Sequence, residues 1–152
     1  MPGLRHFRRP AARADQAGAA SDRLAGRRVE PNRPLRGHTF LPAADDLAQI
    51  PGIAAVRRVQ PARRVVWLHY FTGYCDWYVC GLNSDGEAFG YVLEPAAGIS
   101  QWSYCDLPTM CLLVLPADPL LIVRRDLHWR PRLAGQILHP AGPHRSIRPT
   151  SA

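Results

Sequence analysis

The sequence predicts an α+β domain, a small antiparallel meander sheet of four or five strands with short flanking helices. Three observations carry this reading. Runs of β-branched and aromatic residues recur at close intervals between positions 65 and 105. The links between them are too short for the crossover helices of a parallel sheet. Short amphipathic segments, punctuated by proline or glycine, lie on either side.

Residues 1–36 are rich in Ala, Arg, Gly and Pro and show no sustained apolar period. Too little apolar surface is present to offset chain entropy, so they read as a disordered basic tail. "FLPAADDLAQIPGI", residues 40–53, reads as one amphipathic helix. Pro42 suits its first turn, Asp45 and Asp46 favour its positive end, and Pro51-Gly52 stops it. A basic connection, residues 57–64, follows. Strands are expected at 65–71, 76–82, 87–93 and 99–105, with "NSDG" at 83–86 as a hairpin turn. "DLPTMCLLV" reads as a short helix or turn, 120–129 as an edge strand and 130–138 as a closing helix. Residues 140–152 form a second disordered tail, which leaves 37–139 as a single α+β domain.

Side chains alternate faces along a strand. Trp77 and Val79 therefore share one face, and Asp76, Tyr78 and Cys80 the other. Phe89 and Tyr91 stand together, opposite Ala88 and Val92. Gly81 and Gly90 mark a bulge or the close approach of another element.

All 19 basic residues are arginine, and the net charge is +7. It is unevenly spread, with +6 over residues 1–40, −4 over 41–122 and +5 over 123–152. Basic ends imply weak, nonspecific, salt-sensitive contact with nucleic acid through the arginine-rich tails. The acidic middle is expected to repel phosphate. No apolar run approaches the roughly 20 residues that cross a bilayer, so no membrane contact is expected. The N-terminus lacks the apolar stretch of a secretory signal, which makes the cytoplasm the expected location.

Four cysteines stand at 75, 80, 105 and 111. Their spacing lacks the close pairs of a structural zinc site, so buried, reduced thiols are expected and no cofactor or metal.

Four segments occur in order, namely "LPAADDLAQIPGI", "VVWLHYFTGYCDWYVCGLNSDGEAFGYV", "WSYCDLP" and "VRRDLHWRPRLAGQIL". Their succession resembles a family of small bacterial proteins sharing a domain of unknown function, common on plasmids, phages and integrative elements. The match covers residues 40–138. Phe71, Thr72, Trp77, Phe89, Gly90, Asp126, Leu127 and Pro131 fall on its pattern. The chain departs from it at Cys80-Gly81 and at Arg124, where members carry Glu. The resemblance implies a fold and a mobile-element setting, and no defined activity.

Candidate chemistry is sparse. A thiol nucleophile would pair Cys75 or Cys105 with His69 or His128, and Asp76 lies across from His69 as a structural partner. Asp76, Asp85, Glu87, Glu94 and Asp106 offer carboxylates in no metal-binding pattern, and Asp85 suits a turn. The candidate binding residues are Arg124, Arg125, Asp126, His128, Trp129 and Arg130, joined by the sheet aromatics Trp102 and Tyr104. Alternation sends Arg125, Leu127 and Trp129 to one face and Arg124, Asp126 and His128 to the other. Asp126 is expected to pair an arginine on a charge-protected edge. Arg124, Arg130 and Arg132 would supply a phosphate or acidic-partner site. Aromatics beside arginines suit a single-stranded nucleic-acid platform or a protein-binding patch. The expected function is that of an accessory protein binding a protein or nucleic-acid partner. The alternative is a small hydrolase or nuclease-like enzyme with a Cys/His/Asp site.

Overall fold

The computed structural model describes residues 30–114, 118 and 121–138. Both sequence-predicted tails, apart from residues 30–36, lie outside the described residues. A five-stranded antiparallel sheet runs in the order β5-β4-β3-β2-β6. Its strands are β2 (Leu68–Phe71), β3 (Asp76–Leu82), β4 (Glu87–Glu94), β5 (Ile99–Asp106) and β6 (Arg124–Arg125). A two-stranded sheet pairs β1 (Val65–Val66) with β7 (Arg132–Leu133). Short helices cover Arg33–Arg36, Ala44–Leu47, Ile53–Arg57, Leu107–Leu112 and Ala134–Ile137. The α+β meander is thus the architecture of the chain.

The sheet separates two cores. On one face Phe40, Leu47, Ile50, Tyr70, Val79 and Leu107 pack together. On the other, Ile53, Val56, Val66, Tyr78, Phe89 and Ala134 do so. The expected alternation holds, with Trp77 and Val79 in the first core and Tyr78 and Cys80 in the second. The β3–β4 register shifts between Val79 and Gly81, so Leu82 returns to the first core. Both sheet glycines admit a close neighbour. A Cβ on Gly81 would stand 3.0 Å from the Val56 side chain, and one on Gly90 only 2.1 Å from the Tyr78 carbonyl oxygen.

Four expectations are corrected. Residues 30–36 belong to the packed domain rather than to a tail. Arg36, 4% exposed, donates from Nε to the Val123 carbonyl (2.8 Å) and from Nη2 to that of Cys111 (2.9 Å). It also pairs with Glu30 at 3.0 Å. Asn32 donates to the carbonyls of Cys111 and Leu112. These are the carbonyls a helix leaves unpaired at its C-terminus, and a cation there also meets the negative end of the helix dipole. The segment docks through polar groups, which an apolar period cannot reveal.

The single helix expected over 40–53 is instead Ala44–Leu47 followed, past Pro51-Gly52, by Ile53–Arg57. The second start is capped by the hairpin, where Asn83 Oδ1 accepts from the Ile53 amide at 3.3 Å. The run 65–71 breaks at Trp67. Val66 is buried in the second core while Leu68 and Tyr70 enter the first, so the break reverses the alternation. Finally, among the described residues of the strand expected at 120–129, only Arg124–Arg125 pairs, against β2.

Candidate binding face

The second core is roofed by a layer built from residues 53–66 and 127–138. Ile53 and Val56 seat its first helix on the sheet, and Ala134 seats its last. β1 and β7 join the two stretches. Together they hold Arg57, Arg58, Arg63, Arg64, Arg130 and Arg132, and no acid. All but Arg64 are exposed. The four arginines of the acidic window 41–122 therefore all stand in this layer. The window's acids stand elsewhere, with Asp45 and Asp46 on the Ala44–Leu47 helix, whose Leu47 packs into the opposite core. A −4 segment thus contributes a basic surface.

Aromatic rings carry several of these guanidinium groups. Arg64 stacks 4.3 Å above Trp102 and 5.3 Å from Phe89, and its Nε donates to the Val59 carbonyl. Arg57 lies 6.0 Å from the Tyr104 ring and donates to its hydroxyl at 2.9 Å. Arg132 sits 4.4 Å over Trp129. A cation over an aromatic face is held electrostatically by the ring while its outer N–H groups stay free to donate.

On β2, the strand next to the β6 edge, His69 is buried at 2% exposure. Its Nε2 meets Asp76 Oδ1 at 2.9 Å and its Nδ1 meets Asp126 Oδ2 at 3.3 Å. The ring stacks on Tyr78 at 4.7 Å and leans on Trp129 at 5.1 Å. Two carboxylates on one imidazole engage both ring nitrogens, so none is left to serve a substrate as base. Asp76 as partner was legible in the sequence; Asp126, 57 residues away, was not. The expected pairing of Asp126 with an arginine is replaced by this one.

The alternation expected beyond Arg125 also fails. Asp126 Oδ1 accepts from the His128 amide, and the Asp126 carbonyl accepts from the Trp129 amide. This turn brings Asp126 and Trp129 to the same side, both against His69. Trp129 is half-buried and donates from Nε1 to the Val66 carbonyl at 3.1 Å. His128, Arg124 and Arg130 are exposed. Arg125 points back over the first core, where its Nη2 lies 3.5 Å from the Thr39 and Leu41 carbonyls. Trp102 is half-buried and Tyr104 is 46% exposed. They stand on β5, while the other candidates lie on β6 or just beyond it, and those are opposite edges of the sheet. Four strand spacings separate them by about 19 Å. The eight candidates form no single patch. What joins their two ends is the arginine layer, of which residues 57–64 look in sequence like no more than a basic connection.

No family model, curated protein or solved structure matches this chain.

The two candidate thiols, Cys75 and Cys105, are disfavoured as thiolates. Burial pushes Cys75, Cys80 and Cys105 up to about 12, against the lowered values of reactive cysteines. All four cysteines are unbridged. Among the described residues no group of three or more His, Cys, Asp and Glu is placed to hold a metal ion. The acids beside the end of β5 have local tasks. Asp85 accepts from the Glu87 amide, Glu87 from Asn83, and Asp106 caps the Leu107–Leu112 helix. No helix among the described residues is long and apolar enough to cross a membrane.

Proposed function

We propose that this chain is a non-catalytic binding module whose partner is a nucleic-acid backbone, held by the arginine layer over the second core. The supporting observation is the charge of that layer, six arginines with no acid among them. Phosphate contacts of this kind supply affinity without reading sequence. The exposed Tyr104 ring beside Arg57 adds stacking surface for an unpaired base, which favours single strands. The setting is taken from the sequence resemblance, an accessory protein of a mobile element working in the cytoplasm. Against the hydrolase alternative stand the protonated thiols and the fully engaged His69.

The test is a titration of labelled single- and double-stranded DNA at two salt concentrations. About four phosphate contacts give a salt slope near −2.8 on single strands and near −3.6 on duplex, roughly a fiftyfold and a hundredfold loss of affinity between 50 and 200 mM salt. Arg58→Glu with Arg63→Glu, both exposed, should weaken binding about tenfold or more and flatten that slope by about two. Unchanged binding by this variant, with loss only on deleting residues 1–29, would return the activity to the N-terminal arginines.

A further inference from the structure

β5 is an eight-residue strand at the end of the sheet, and it pairs with no further strand among the described residues. Its free edge can be read residue by residue. The Leu107 amide donates to the Gly86 carbonyl, and the Asn83 amide to that of Glu87. With the β4–β5 register, these bonds direct the backbone groups of Gln101, Ser103 and Cys105 toward β4. Those of Ser100, Trp102 and Tyr104 point outward. In agreement, the Tyr104 carbonyl accepts from its neighbour's Ser103 hydroxyl at 3.3 Å.

Natural edges are blunted by proline, basic side chains, bulges or short length. β6, at the other edge, is two residues long and both are arginine. β5 has none of these devices, and its one charge, Asp106, is at its end. We infer that β5 is a docking edge for an extended peptide that adds a sixth antiparallel strand, with acidic residues at alternate positions and a base two residues before the first of them.

The charge pattern selects this occupant. Partner residues opposite Trp102 and Tyr104 share the sheet face on which Arg64 and Arg57 lie over those rings. They are two positions apart on the partner, and acids suit both. The partner residue opposite Asp106 meets Asp85, Glu87 and Asp106, which line one depression with Tyr104; a base suits it. A second copy paired along β5 would bring two sets of Arg57 and Arg64 together. Residues 1–29 carry seven arginines against two acids, and 139–152 two arginines and no acid, so the chain's own ends lack the acids required.

The probe is the peptide acetyl-Val-Arg-Thr-Glu-Thr-Glu-Val-amide, compared with its charge-reversed form acetyl-Val-Glu-Thr-Lys-Thr-Lys-Val-amide. Strand addition predicts new hydrogen-exchange protection at the amides of Ser100, Trp102 and Tyr104. Those of Gln101 and Ser103, already bonded to β4, should change little. The first peptide should bind about tenfold tighter than the second, and Arg57→Glu should abolish that preference. Ser100→Pro removes one outward N–H and should weaken both peptides while leaving DNA binding intact. Arg58→Glu with Arg63→Glu should do the reverse, which separates this proposal from the nucleic-acid reading. Absence of the alternating protection, or equal binding of the two peptides, overturns it. So does the same protection without peptide, accompanied by a dimer in sedimentation.

Discussion

Arg36→Ala is the sharpest structural test of where the domain begins. The side chain is fully buried, and its guanidinium makes hydrogen bonds of 2.8, 2.9 and 3.0 Å to Val123, Cys111 and Glu30. It also stacks 4.9 Å from the Phe40 ring. Truncation removes the side-chain donor to the buried Val123 carbonyl and leaves that of Cys111 with Asn32 alone. It also leaves Glu30, whose carboxylate holds the Phe40 amide, without its counter-ion. Breaking a buried pair from one side costs about 3–5 kcal/mol. Domains of this size have about 5–15 kcal/mol in all. The expected loss is therefore about a fifth of the stability at the least, or about 15 °C in Tm. Urea unfolding of wild type, Arg36→Ala and the exposed control Leu35→Ala gives the answer. The control should stay within about 0.5 kcal/mol. A chain starting at residue 30 should melt near the full-length temperature, and one starting at residue 37 far below it. An Arg36→Ala loss under about 1 kcal/mol at unchanged denaturant slope would refute the reasoning.

Gly90→Ala should cost about 3 kcal/mol or more, since its Cβ would meet backbone rather than a flexible side chain; thermal unfolding by circular dichroism measures it. Cys75, Cys80 and Cys105 should label with iodoacetamide roughly a hundredfold or more slower in the native state at pH 8 than in urea, followed by mass spectrometry. The same thiols, with Tyr78 also raised to about 12, hold their protons more tightly folded than unfolded. Their contribution is complete below about pH 9 and is lost as pH climbs toward 12, so urea midpoints should fall across that window.

The central meander was legible because its signals are local. β3 begins and ends where the aromatic and β-branched run does, and "NSDG" forms the hairpin. Elements set by distant partners were not. Arg36 finds its carbonyls 75 and 87 residues away, and a polar heptapeptide gives no apolar period to report this. Composition alone makes the 120–129 run a strand, yet Asp126 turns it by accepting from the His128 amide. The arginine layer was hidden by averaging. A charge sum over 41–122 merged four clustered arginines with eight acids that the fold sends elsewhere. One local signal was available, since residues 47–75 contain four arginines and no acid.

The central claim is that the folded arginine layer, rather than the chain ends, holds an anionic backbone. The most direct measurement is an amide-resolved NMR titration of the full chain with a short single-stranded DNA at low salt. Chemical-shift changes should saturate together at residues 57–64 and 130–133, with indole signals of Trp102 and Trp129 moving alongside. Changes confined to residues 1–29 and 139–152, or centred on the Ala44–Leu47 helix, would contradict it.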